Sequence, residues 1–394
     1  MASVKALIIT FALALFLTCA GPASAQEESI WNSRPIQESL QAQLEALDLD
    51  QLLRFTEYVD EDFRELLPSL DLRDLAAGSA ARSPGDLLQR LLRSFLREVY
   101  LSMNLLRQLA VIGILAALLE RLSGSFGSQM VVDLAFAVCF LILVLLGLQS
   151  FSTAAGAAQE AVRTMVEFMH SLLPMLSTLL VAVGGITSAA VFHPLLWALV
   201  STLASLVQRL LLPLILLSTA FSLISQFSSG LAFPKLGGLF RQAVITILGI
   251  MFIVFSGFMV VRGAIAPIAD GISLRTAKYL TKTLIPIAGG MFADAVEVVV
   301  GGSLLIKNAV GVFGLAMILL LVAAPLLKLV AMVFVYKLVG ALLEPLCDKR
   351  LVQTLAALES SLVLVIIALG TAALMFFLAI TILVGLGNLA VFVR

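Results

Sequence analysis

Residues 309–327 read AVGVFGLAMILLLVAAPLL, a run that carries no charge at all. An α-helix needs about 20 such residues to cross the hydrocarbon core of a bilayer. Working outward, comparable segments lie at 105–122, 130–150, 165–186, 195–226, 242–262, 285–306 and 361–390. The whole chain agrees with them: 61% of its 394 residues are hydrophobic, 13% are charged, and the mean hydropathy is +1.09. A soluble domain would carry roughly a quarter charged residues. The expected fold is therefore all-α, a polytopic helical membrane protein of about eight spans. Residues 328–350, with Lys328, Lys337, Lys349 and Arg350, are too polar for a further span and suit an interfacial helix.

The first 99 residues differ from this body. Lys5, the apolar run Ala6 to Leu17 and the small-residue site Ala23-Ser24-Ala25 form a secretory signal peptide over 1–25. An uncleaved anchor is the alternative, but the run is short for a full span. Residues 26–99 hold 15 of the 25 acids and only 8 of the 25 Lys and Arg. Ile36, Leu40, Leu44 and Leu47 recur at helical spacing, as do Leu52, Phe55 and Val59, and again Leu87, Leu91, Phe95 and Val99. Ser83-Pro84-Gly85-Asp86 marks a turn and a helix start. The expectation is a small acidic extracytoplasmic helical domain over 26–99, followed by a multispanning domain over 100–394.

Charge orients the body. With 26–99 outside, five spans place 263–284 in the cytoplasm, where Arg262, Arg275, Lys278 and Lys282 satisfy the positive-inside rule. Eight spans put both ends outside. An internal repeat is also visible at an offset of 112 residues: Arg163-Thr164, Pro174 and Pro213 match Arg275-Thr276, Pro286 and Pro325. Gly184-Gly185 and Gly301-Gly302 follow with a further shift. The units would be 163–262 and 275–390, inverted because three spans separate them; chance agreement between leucine-rich stretches is the alternative. Inverted units broken by Pro and Gly are the pattern of a transporter's central site.

Few residues offer chemistry. Asp294 and Glu297 share a helix face and, with Lys307, form a candidate intramembrane pathway, Lys307 and Arg262 serving as counter-ions. Alternatively, 285–306 is a surface helix with both acids in water. Arg275, Lys278 and Lys282 make a basic stripe for anionic headgroups or a cytoplasmic partner, with Asp270-Gly271 and Ser273 as helix-start residues. Pro174, Pro213, Pro286 and Pro325 are expected helix breaks. Phe192-His193-Pro194 and Gly387-Asn388 read as breaks too, and His193 reads as structural. Three cysteines and two histidines make a metal site improbable, and no P-loop, H-E-x-x-H or G-x-S-x-G motif occurs. No cofactor, nucleic-acid partner or enzymatic activity is expected.

The run Asp270-Gly271-Ile272-Ser273-Leu274-Arg275-Thr276-Ala277-Lys278 resembles stage III sporulation protein AE of endospore-forming bacteria. So do Phe192-His193-Pro194, Ile285-Pro286, Met291-Phe292-Ala293-Asp294-Ala295, Ser303 to Asn308, Tyr336-Lys337-Leu338 and Gly387-Asn388-Leu389, over about residue 90 to the C-terminus. The resemblance implies a mother-cell membrane component of the channel linking mother cell and forespore, needed for late forespore gene expression. It implies as partners the other subunits of that complex, a cytoplasmic ATPase and a forespore-side membrane protein among them. It transfers no catalytic residues. A stand-alone secondary transporter and a structural scaffold are the rival readings.

Overall fold

The computed structural model describes residues 49–64, 84–122, 129–227, 234–284 and 289–392. All the regular structure among them is helical. Near the N-terminus come α1 (Leu49–Arg54), a 3-10 turn (Phe55–Tyr58) and α2 (Glu61–Arg64), then α3 (Pro84–Leu101) and α4 (Met103–Leu122). The body is α5 (Gln129–Ala182), α6 (Ile186–Leu206), a π-helical turn (Val207–Leu211), α7 (Leu212–Phe227), α8 (Pro234–Leu284), α9 (Gly289–Leu343) and α10 (Lys349–Phe392). The signal-peptide segment and the apolar positions from Ile36 to Leu47 lie outside the described residues.

Among the described residues, five helices are long and apolar enough to cross a membrane, or six if the bent α3–α4 pair makes one span. The expected count of eight is not reached because expected breaks do not form. Segments 130–150 and 165–186 join in α5, which at 1.5 Å per residue is about 80 Å long. The linker between them carries Ala154, Ala155, Ala157 and Ala158, the strongest helix formers, so the helix continues past Gly156. Segments 285–306 and 309–327 likewise meet in α9, which runs on to Leu343 and absorbs most of the expected interfacial helix.

Proline does not break these helices either. Pro174 lies inside α5, Pro194 inside α6 and Pro325 inside α9, while Pro286 is outside the described residues. Proline lacks an N–H and crowds the carbonyl four residues earlier. Ahead of Pro213 the chain answers with the π turn, in which the Leu212 N–H reaches Val207 O, five residues back. Gly387-Asn388 sits within α10, and Asp270 and Ser273 sit within α8 rather than at its start.

Specific contacts fix the helix directions. Ser177 meets His193 and His170 meets Ser201, so α6 runs antiparallel to α5. Gly314 lies against Leu172 and the Tyr336 hydroxyl is 2.5 Å from Ser150 Oγ, so α9 does too. Lys307 reaches Val384, and Lys337 pairs with Glu359 at 3.4 Å, which sets α10 antiparallel to α9. Asp270 meets Ser188 and Ser218 donates to Gly237 O at 2.8 Å, so α8 opposes α6 and α7. Hence α5, α8 and α10 run one way, and α6–α7 and α9 the other. Arg163 on α5 and Arg275 on α8 lie on helices that run the same way, as do Pro213 on α7 and Pro325 on α9, while Pro286 lies outside the described residues. Joining 285–306 to 309–327 in α9 removes the turn expected between Pro213 and Pro325.

Helix α10 is the centre: 67% of its apolar window is buried, against 28–39% in the other four spans. Hydroxyls inside these helices bond their own turns, Thr371 to Ile367 O and Thr381 to Phe377 O among them, so these groups are satisfied without a partner helix. The N-terminal piece docks on the body: Leu52 and Val59 join the core, and Phe55 meets Phe168 of α5 edge-on at 5.4 Å. Pro84 starts α3, as its place in the sequence suggested.

Candidate functional site

Gly184-Gly185 ends α5 in a Schellman turn. Gly184 has φ 95°, its N–H bonds Val181 O, and the Gly185 N–H bonds Leu180 O, both at 2.8 Å. An L side chain resists that backbone angle, whereas Gly accepts it. The chain reverses and α6 begins at Ile186 with no capping side chain of its own at Gly185. The first turn of a helix has N–H groups without intrahelical partners and a partial positive charge. Asp270, 83 residues later and 1% exposed, supplies the missing cap from α8. Its Oδ1 accepts the Thr187 N–H at 2.9 Å and the Ser188 N–H at 3.2 Å, and its Oδ2 accepts the Ser188 hydroxyl. The residue read as starting its own helix thus starts another one.

On either side of the break, both histidines of the chain gather on one tryptophan. His170 stacks on Trp197 with centroids 4.0 Å apart and planes 11° from parallel, and its Nε2 is 3.2 Å from Ser201 Oγ. His193 is tilted against the same ring at 6.4 Å, with Nδ1 3.1 Å from Ser177 Oγ. Each imidazole thus has a hydroxyl partner across the α5–α6 seam. Sequence reasoning took His193 alone as structural and left His170 unread. The signal lay in two histidines each near a proline, His170 before Pro174 and His193 beside Pro194.

The second interior charge is Lys307, fully buried between α9 and α10. Its ammonium donates to Val384 O at 2.6 Å. Close approach is possible because Gly311, one turn on, lies against Val384, where a Cβ would collide with its methyl groups. The neighbouring Asn308 Oδ1 is buried and has no partner among the described residues. Asp294 and Glu297 belong to the same continuous helix, but their side chains lie outside the described residues. Glu297 is ten residues from Lys307, about 15 Å along the axis, so Lys307 is not its direct counter-ion within one helix. Arg262, the other expected counter-ion, sits over the Phe258 ring at 5.5 Å. Arg275, Lys278 and Lys282 lie in the last turns of α8, their side chains outside the described residues.

The family model for stage III sporulation protein AE matches residues 69–387. The chain belongs to the stage III sporulation protein AE family. The stage III sporulation protein AE of Bacillus subtilis (strain 168) is 33% identical over 392 residues, covering 99% of this chain and 98% of that protein. No solved structure matches. The AE match takes in the α5–α6 break, Asp270, both histidines and Lys307. It starts further upstream than the expected residue 90. This is a sporulation protein with the apolar helices of a multi-pass membrane protein. Among the described residues, no group of three His, Cys, Asp or Glu side chains is placed to hold a metal.

Proposed function

We propose that this chain is a non-enzymatic, permease-like membrane subunit of the channel connecting mother cell and forespore, needed for late forespore gene expression. Family membership over nearly the whole chain supports the sporulation role. The observation that carries the permease-like reading is Lys307, a charge sealed in an apolar helical core with one backbone acceptor. A Lys in a membrane interior costs about 2.5–3.5 kcal/mol on insertion scales, and such residues mark pathways rather than packing. Asp294, Glu297 and Lys307 then belong to one polar path along α9. Arg275, Lys278 and Lys282 face a cytoplasmic partner or anionic headgroups, and residues 26–99 lie between the two membranes. Five spans with an outside start keep that basic stretch cytoplasmic and move the C-terminus to the cytoplasm as well; a sixth span would reverse it. The partners are the other subunits of the same complex, including a cytoplasmic ATPase and a forespore-side membrane protein.

The test is the double change Asp294→Asn with Glu297→Gln in a sporulating host. Normal membrane level with loss of a late forespore reporter is expected. Normal level with normal reporter activity rules out the pathway through these acids. Co-purification of the tagged chain with the other subunits separates a channel component from a stand-alone transporter. Uptake by the chain alone in liposomes favours the transporter.

A further inference from the structure

We propose that the exposed face of α5 from Gln149 to Thr178, together with Gln208 of the π turn, walls a water-filled groove that carries small polar solutes through the apolar level of the bundle. It rests on the reading of the chain as a membrane subunit and names where water would run in it.

One helix carries the contrast. From Leu134 to Leu145 every exposed residue of α5 is apolar: Leu134, Val138, Leu141, Ile142 and Leu145. From Gln149 to Thr178 every exposed residue is polar, charged, Gly or Pro, among them Gln159, Glu160, Arg163 and Glu167. The last four share with Gln208 an open groove of about 440 Å³ between α5 and the π turn. A π turn adds a residue to the register of a helix and is common at functional sites. Here it sits where Gln208 enters the polar side.

The groove is level with a lipid-like surface elsewhere on the bundle. Helix α8 is anchored to α6 and α7 at two points, Asp270 at Ser188 and Gly237 at Ser218. Gln208 lies between those anchors in sequence, on the continuous helical run that joins them. Between those anchors, from Ile250 to Val261, α8 exposes only Ile250, Ile253, Val254, Gly257, Val260 and Val261. The same depth thus presents hydrocarbon on one side and three charges, Glu160, Arg163 and Glu167, on the other. Lipid is excluded as the neighbour of the polar side, since each charge there costs about 2.5–3.5 kcal/mol.

Water fits this face better than a second protein surface. Protein interfaces are built on apolar and aromatic centres depleted in charge, and α5 exposes no apolar residue from Gln149 to Thr178. Arg163 and Glu167 already pair with each other at 2.9 Å, with 65% and 49% of their side chains exposed. The face also borders the N-terminal segment, through Phe55 on Phe168, whose outer residues Glu57 and Arg64 are polar and exposed. Two acids, Glu160 and Glu167, stand in the groove against one guanidinium, Arg163. The passenger class is therefore small polar molecules, neutral or cationic, rather than anions.

The test uses the full chain in open membrane fragments, so that neither side is hidden. Cys19, Cys139 and Cys347 are replaced, and single cysteines are placed by Gln159→Cys, Arg163→Cys, Glu167→Cys and Gln208→Cys. Ile250→Cys and Ile253→Cys report the apolar side. Immunoblotting of the membranes confirms each variant, with Glu160→Cys replacing any that fails to accumulate. A charged, impermeant thiol reagent should modify the groove set about tenfold or more faster, because a thiol ionises in water and not in lipid. Groove positions as slow as Ile250→Cys overturn the proposal, as do disulfides linking Arg163→Cys between two copies. Equal fast labelling of both sets overturns it too, by placing the whole level in water. None of these outcomes depends on forespore gene expression, so failure here is distinct from failure of the channel reading.

Discussion

Asp270 and Lys307 are both buried ionisable residues, and both are held by the backbone of another helix. Their surroundings differ in kind. Asp270 faces a helix start, where unpaired N–H groups and the helix dipole favour a negative charge. Three donors converge on its two oxygens. Lys307 faces the side of a helix whose carbonyls already serve the ladder, and one acceptor, Val384 O, meets an ammonium with three hydrogens. The buried acceptor beside it, Asn308 Oδ1, is unpartnered among the described residues. A satisfied charge holds a fold together. An under-satisfied one is retained at a cost to stability, and the cost points to use.

That contrast breaks most readily at Asp270. Asp270→Ala should lower stability by about 2–4 kcal/mol, since it strips the α6 cap and strands buried N–H groups. Loss of the monodisperse peak in detergent, or a large fall in Tm, would report it. A variant as stable as the parent would leave the cap without a structural role. Lys307→Met should behave in the opposite way. It removes a buried charge at similar volume, which leaves stability unchanged or raised by about 1–4 kcal/mol. Late forespore gene expression should nevertheless fall to background. If Lys307→Met loses both fold and function, the two charges are of one kind. At smaller scale, Ser188→Ala removes the hydroxyl donor to Asp270 and should cost about 1 kcal/mol, read as a Tm shift. An unchanged Tm would mean that the two backbone N–H groups suffice.

The helical membrane class was legible because hydropathy is additive along the chain. Continuity was not. Ala154 to Ala158 and the stretch across Lys307-Asn308 look like interruptions by polarity, yet helix propensity and packing against α10 keep both helical. Pro174, Pro194 and Pro325 misled in the same direction, since a buried helix re-satisfies the groups that proline frees. Lys307 was reached only as a counter-ion for Asp294 and Glu297, not as a buried charge in its own right. The role of Asp270 was not reached, because its partners Thr187 and Ser188 are more than 80 residues away and nothing local to Asp270 announces them.

The glycine pairs give the smallest and sharpest expected effect, and they test the repeat at the level of single residues. Matched units would ask the same of Gly184-Gly185 and Gly301-Gly302. In the fold they do different work. Gly184 has φ 95° and closes α5, while Gly301 lies inside α9 with nothing within 4 Å of where a Cβ would go. Gly184→Ala forces an L side chain into left-handed backbone and should cost about 1–2 kcal/mol. Gly301→Ala replaces a poor helix former by the best one at an open position and should stabilise by about 0.5–1 kcal/mol. Paired Tm measurements in detergent would show shifts of opposite sign. Equal destabilisation by both changes would mean that α9 bends or opens at Gly301 as α5 ends at Gly184, restoring the equivalence that the helix bounds deny.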